Sequence, residues 1–418
     1  MSKLHPAWLE EPATRRLLAA LGVAGIEVRF VGGCVRDTIL EIPVGDIDLA
    51  TPARPDAVMA ALAAAKLKAL PTGLDHGTVT AVIPPRHFEI TTLRRDVETD
   101  GRHAIVAFDA DWGADAARRD FTINAIYLSP DGTIHDSVGG RADLAARRVR
   151  FVGDAATRIA EDVLRLLRYY RFEARFGGGD GDTAARAACR DAVAMLPTLS
   201  AERVSRELMR LLAAPAPIRV LNMMQEDGVL AAVLSEATRL DRLEKLLASA
   251  LKAPPPPPAG VGRGGGLTAD PLLRLAALIE VEKAGALALG ERLRLSNSER
   301  KRLIDLAAPW PLDPADDAAA QRRALYRLGR ERYRGLTMLL AAEGRLAPAR
   351  LAELTALSES WPIPVFPLGG NDVTALGIAP GPRVGRLLAA VKRWWEEGDF
   401  AAGHDSCLAR LKELAGQP

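Results

Sequence analysis

Asp46 and Asp48, two carboxylates two residues apart in GDIDLAT, are the residues here best suited to chemistry. On a strand, side chains at i and i+2 share a face, so both would enter one pocket and hold a divalent ion against a polyphosphate. Upstream, GGCVRD carries Gly32 and Gly33, which let backbone N–H groups approach phosphate oxygens, and Arg36, a fork of donors for the β- and γ-phosphates. Nucleotidyl transfer needs a more acidic attacking hydroxyl, an electrophilic α-phosphate and a neutralised pyrophosphate. Two metal ions about 3.5–4 Å apart supply all three and require carboxylates that bridge them. Glu89, mid-strand in HFEITTLR, is the candidate third carboxylate, because Phe88 and Ile90 should face the opposite side. The pattern points to nucleotidyl transfer.

Two further constellations could handle a nucleoside. In RRDFTINA, beginning at Arg118, Arg119 can bind phosphate, Asp120 can accept from a ribose hydroxyl, and Asn124 can fix sugar or backbone. A salt-bridged turn would use the same residues. The segment RIAEDVLRLLRYYRF, from Arg158, reads as one helix with Glu161, Asp162, Arg165 and Arg168 grouped by i, i+3 and i+4 spacings. Asp162 and Arg165 could read a base edge together, the carboxylate accepting from an exocyclic amine and the guanidinium donating to a ring acceptor. Adenine and cytosine both offer that edge. An ordinary intrahelical ion pair satisfies the same spacing, and these residues alone leave the choice open. Cys34 has no base patterned with it and reads as a buried small residue, not a nucleophile.

The elements that must position these groups follow from the apolar patterning. Val28, Phe30 and Val31, residues 45–51, 78–83 and 88–92 read as strands of a mixed sheet, and residues 8–24 as an amphipathic helix. From about residue 155 the pattern is helical. The stretch PPPPPAGVGRGGGL at 254–267 cannot be helix or core strand. The fold class expected is α+β, a small mixed-sheet head followed by a helical body and tail. The expected divisions are an N-terminal helix (1–24), a catalytic head (25–150), a helical nucleotide-selecting neck (151–253), a linker or insertion (254–267) and a helical tail (268–418). The hydrophobic fraction of 48% is that of a globular chain, and aromatics at 5% favour helices over a large sheet. A net charge of +2 does not exclude RNA, because a local Arg-rich face suffices. Three scattered cysteines argue against a disulfide framework or a cysteine zinc site. No apolar run is long enough to span a membrane, so the expected setting is the reducing cytoplasm.

Taken in order, GGCVRD, GDIDLAT, HGTV, FEITTLR, RRDFTINA, DSVGGRADL, EDVLRLLR and ERVSREL resemble the motifs of bacterial class II tRNA nucleotidyltransferases, the family of the CCA-adding enzymes and bacterial poly(A) polymerases. The resemblance implies a polymerase-beta-like head with Mg2+, two ions in the catalytic complex, at Asp46 and Asp48. It implies ribose recognition by Arg119 and Asp120 beside Asn124, and selection of CTP and ATP by Asp162 and Arg165. Glu202 and Arg203 match a helix motif that braces that pair, with Arg118, Glu161 and Arg168 supporting, while Gly139, Gly140, Asp143 and Leu144 match hinge and packing positions. Val163 stands where the family usually has proline, a change expected to act on rigidity more than base contacts. Arg94 to Asp115 resembles the flexible loop needed to switch from CTP to ATP, which favours full CCA addition.

Poly(A) addition is the alternative within the family, and a non-catalytic RNA-binding protein the alternative outside it. The expected partners are the tRNA acceptor arm and elbow, with no obligate protein partner and no membrane. Candidate basic surfaces are Arg292, Arg294, Arg300, Lys301 and Arg302, then Arg322, Arg323, Arg327, Arg330 and Arg332, and finally Arg383, Arg386, Lys392 and Arg393.

Overall fold

A computed structural model describes residues 3–73, 77–99, 104–108, 111–251 and 270–416. His76 of the HGTV motif and the whole of 254–267 lie outside these residues. The chain divides into two compact units, Met1–Ser235 and Glu236–Pro418. The division falls ahead of the boundary at 253–254 expected from sequence, so the helix Leu240–Leu251 belongs to the second unit.

The first unit opens with α1 (Pro12–Val23), then β1 (Arg29–Val31), α2 (Gly33–Ile39), β2 (Ile47–Thr51), α3 (Pro55–Ala64), β3 (Lys68–Gly73), β4 (Thr78–Ile83) and β5 (Arg86–Thr92). The strands β6 (Arg94–Thr99) and β7 (Ala104–Phe108) pair with each other, and α4 (Trp112–Ala117), β8 (Tyr127–Leu128), β9 (Ile134–His135) and α5 (Gly140–Ala145) follow. Seven strands form one sheet in the order β3-β4-β5-β2-β1-β8-β9. It is mixed because β2 and β5 run parallel while every other pair is antiparallel. Alternation decides which face is core: Ile47 and Leu49 of β2, and Phe88 and Ile90 of β5, are fully buried on one side, which sends Asp48 and Glu89 to the other. The fold is α+β, and among the described residues every named strand lies in this head.

The flexible loop expected between Arg94 and Asp115 is in part regular structure. Arg94–Thr99 and Ala104–Phe108 form an antiparallel ribbon whose backbone groups pair with each other, and Asp111 caps α4 by accepting from Gly113 N at 2.7 Å. Its composition hid this, because a two-stranded ribbon needs no buried apolar stripe.

The helical part of the unit begins with α6 (Ala155–Glu161), α7 (Leu164–Phe176), α8 (Thr183–Asp191) and α9 (Ala201–Leu212). The single helix expected from Arg158 onward is two. Asp162 leaves helical geometry (φ −152°, ψ 104°) and Val163 re-enters it (φ −56°, ψ −26°). The apolar period runs on through Ile159, Val163, Leu166 and Leu167, all buried, so the break leaves no trace in the pattern. Two aromatic rows close the junction with the head, Phe121 packing on Phe151 and Phe172, and Phe151 stacking on Tyr169.

The described part of the second unit is built of helices, Leu240–Leu251 and then from Pro271 to Ala415. Its last cluster is Trp395, Val373, Val391, Cys407 and Leu411, with Tyr326, Phe366 and Phe400 set around the Trp395 indole. Trp394-Trp395 therefore serves packing. Many of the candidate basic residues are engaged within the unit. Arg292 pairs with Glu236, Arg327 with Glu396, Arg332 with Asp305 and Arg322 with Asp399, while Arg330 caps a helix end through the Trp361 carbonyl. Lys301, Arg386 and Arg393 are exposed.

Candidate active site

Asp46 closes the loop before β2, and Asp48 is the second residue of that strand. Parallel pairing sets Asp48 directly beside Glu89 on β5, so three carboxylates gather at one edge of the open face. Their proximity has an electrostatic signature. The Asp48 carboxyl is pushed up to about 6, first by burial, then by the Glu89 charge, with Asp46 adding to it and Arg119 opposing. Three negative groups held together this way offer hard oxygen ligands and a charge that a divalent cation would relieve. Among the described residues no three His, Cys, Asp or Glu side chains form a ready-made cage. An ion here would complete its shell with water and phosphate oxygens, as Mg2+ ordinarily does.

Beside this cluster lies the glycine turn. Gly32 has φ +78°, which L side chains rarely adopt, and a Cβ there would lie about 4 Å from both the Asp48 carboxylate and the Arg119 guanidinium. The glycine, the first carboxylate motif and RRDFTINA therefore meet at one point. Arg119 is held by Asp115 (3.0 Å) and the Tyr127 hydroxyl (3.1 Å), and Tyr127 in turn donates to Asp115 at 2.6 Å. Asp115 also takes Arg118. Burial pushes the Asp115 carboxyl up, but Arg119, Arg118 and the Tyr127 hydroxyl outweigh it and hold it below the usual range. Asp115 and Tyr127 are site residues that the sequence reading missed. The i, i+3 and i, i+4 spacing of Asp115 to the two arginines was a usable signal, whereas Tyr127 joins only through β8.

Arg36 does not present its fork to open solvent. It is 7% exposed, lies over the Phe176 ring at 4.1 Å, and donates to Asp37 (2.9 Å) and to Asn124 Oδ1 (2.6 Å). Burial lowers its pKa below the usual arginine value, with Asp37 opposing. Its work in this state is to hold Asn124, which donates onward to Asp120 at 3.0 Å. Asp120 also accepts from Phe121 N and from Arg168 Nε at 2.9 Å, so a continuous chain runs Asp37, Arg36, Asn124, Asp120, Arg168 from the glycine-turn helix to α7. Burial raises the Asp120 carboxyl, but Arg168 and Asn124 more than offset it and leave it below the ordinary value. Cys34 is buried and its thiol is pushed up to about 12, chiefly by burial, which leaves it inert.

The base-selecting candidates do not pair with each other. Asp162 accepts from Arg203 Nη2 at 2.8 and 3.0 Å and from Leu164 N at 3.1 Å. Arg165 instead pairs with Glu161 and donates to the Arg158 carbonyl at 2.9 Å. Glu202 is exposed in the first turn of α9, one position before Arg203. The helix break explains this separation: once Asp162 leaves the helix, the i, i+3 geometry no longer applies. Val163 keeps the φ that proline imposes, and Asp162 the extended conformation that precedes proline. The backbone geometry survives without the ring. The chain has two His-Asp doublets, His135-Asp136 and His404-Asp405; Asp136 caps α5, accepting from Gly139, Gly140 and Arg141 N at 2.9 Å, and His404 lies beside Asp372 and Asp405.

Residues 28–150 match the poly A polymerase head domain, and 182–240 a probable RNA and SrmB-binding site of polymerase A. The mouse mitochondrial CCA tRNA nucleotidyltransferase 1 is 33% identical over 402 residues, 93% of this chain and 87% of that protein. The CCA-adding enzyme of Limosilactobacillus fermentum is 29% identical with 97% of both chains covered. Among solved structures, the Bacillus stearothermophilus CCA-adding enzyme in complex with CTP superposes with a TM-score of 0.75 at 28% identity, covering 97% of this chain and 98% of that one. With the carboxylates, glycine turn and RRDFTINA already converging in the head, the chain belongs to the CCA tRNA nucleotidyltransferase family.

Proposed function

We propose that the protein adds CCA from CTP and ATP to the 3′ end of tRNA and releases pyrophosphate, with no nucleic-acid template. The observation that carries this reading is the register of Asp48 against Glu89, beside Gly32 and Arg119, in a chain of this family. Mg2+ held by Asp46 and Asp48, with Glu89 beside them, would supply Lewis-acid activation of the RNA 3′-hydroxyl and neutralise the leaving pyrophosphate.

The chain's own residues do the rest. The Gly32-Gly33 backbone and Arg119 hold the triphosphate in line with the hydroxyl. Asp120 accepts from the ribose, fixed by Asn124 and Arg168, and Arg36 acts through Asn124. Asp162 and Arg165 read the amine-and-acceptor edge that cytosine and adenine share, which requires their present partners, Arg203 and Glu161, to yield or to share donors. RNA is held by shape and phosphate contacts, which suit the basic helical surfaces. The three buried free thiols suit a reducing cytoplasm, and among the described residues no helix is long and apolar enough to cross a membrane.

Replacing Asp46 or Asp48 with alanine should abolish incorporation of both nucleotides while tRNA binding in a filter or mobility assay persists. Full turnover in either variant would remove these carboxylates from the chemistry.

A further inference from the structure

Arg158 joins three parts of the candidate site that the chain itself does not join. It lies on α6 and is 8% exposed. Its Nη2 donates to the backbone carbonyls of Arg118 and Arg119, the latter at 3.0 Å, and its Nη1 donates to Glu161 at 2.9 Å. Its own carbonyl accepts from Arg165 at 2.9 Å, and Arg165 returns to the same Glu161. A closed ring of contacts therefore links Arg158, Glu161 and Arg165, and the Arg158 guanidinium ties that ring to the Arg118-Arg119 main chain.

We propose that Arg158 is a positioning residue for base selection, setting the distance between the turn that holds phosphate and ribose and the pair that reads the base. The inference rests on the proposed CCA-adding reading. The physical need comes from the helix break. An unbroken helix would pass the position of residue 158 on to residue 165 through its hydrogen-bond ladder, but Asp162 interrupts that ladder. The position is carried instead by a side-chain strut anchored to main-chain carbonyls, which no rotamer change in Arg118 or Arg119 can displace. A guanidinium suits this task because its planar fork meets two carbonyls and a carboxylate at once, which an ammonium on a flexible stem cannot do with the same geometry. The Asp120–Arg168 pair is a separate attachment between head and α7, so losing Arg158 loosens the base reader without detaching it. The nucleotide would still be held by its phosphates, but its base would be judged less sharply.

The test uses the full chain with Arg158→Lys and Arg158→Ala, and primer tRNA ending before CCA. KM and kcat are measured for CTP and for UTP, with a thermal melt of each variant. The inference predicts a cooperative melt for Arg158→Lys and a fall of roughly tenfold or more in the preference for CTP over UTP, the scale of one lost charge-assisted hydrogen bond. That fall should come from a gain in relative UTP use. A folded Arg158→Lys with wild-type preference, or a loss by the same factor with both nucleotides, overturns it. If Arg158→Lys does not fold, Glu161→Gln keeps the shape, removes the shared charge and gives the same readout. A wild type that incorporates neither CTP nor ATP overturns the functional reading and the inference with it; a discriminating wild type beside an equally discriminating variant overturns the inference alone.

Discussion

Asp48→Asn should stabilise the metal-free protein while destroying its activity. The Asp48 carboxyl lies at about 6 against an ordinary 3.8, because burial and the Glu89 and Asp46 charges disfavour its ionised form. A folded-state pKa above the unfolded one means that the native state binds more protons between those values. Stability therefore falls as pH rises from about 4 through about 6, and the full cost is present above that. The gap corresponds to about 3 kcal/mol at most. Asp48 keeps some solvent access, and screening reduces the expected figure to about 1–2 kcal/mol. The assay is urea denaturation of wild type and Asp48→Asn in EDTA at pH 5 and pH 7.5, repeated with Mg2+. In EDTA the variant should be more stable than wild type at pH 7.5, with a smaller difference at pH 5. Added Mg2+ should stabilise the wild type and leave the variant unchanged. A variant equal to or less stable than wild type in EDTA at pH 7.5 would refute the electrostatic argument.

Other consequences concern the neck. Arg203→Ala removes the partner of Asp162, and steady-state kinetics should show KM rising for both CTP and ATP by roughly tenfold, as for loss of a charged hydrogen bond; unchanged KM for both would separate Arg203 from the base reader. Val163→Pro restores the ring at a backbone already set for it (φ −56°); the melt should be unchanged or raised by up to about 1 kcal/mol, with activity kept, and a large destabilisation would contradict the geometry described. Arg168→Ala leaves the Asp120 charge without its main partner and should cost about 2–4 kcal/mol by chemical denaturation. A cost below about 0.5 kcal/mol would place that pair among ordinary surface contacts.

The parts of this fold that depend on local period were legible in the chain. Alternation alone puts Asp48 opposite Ile47 and Leu49, and Glu89 opposite Phe88 and Ile90, whereas Asp46 lies in the loop just before β2. The direct pairing of Asp48 with Glu89 needed the parallel register of two strands separated by α3 and a hairpin, which no local pattern encodes. The break at Asp162 was invisible because buried side chains continue at helical spacing across it. Arg36 looked like a phosphate ligand because its type and place beside two glycines fit that role. Its burial follows from Phe176 on α7, far away in sequence. In the single helix expected from sequence, Arg158 stood among several other charged residues, and only the fold shows it reaching the carbonyls of Arg118 and Arg119.

The most direct test offers the purified protein CTP, ATP and Mg2+ with three primers: tRNA ending before CCA, tRNA ending in CC, and an unstructured oligonucleotide. The account predicts three nucleotides added to the first, one to the second and none to the third, with all addition lost in Asp48→Ala. A long A tract on any primer, or addition that survives in Asp48→Ala, would contradict it.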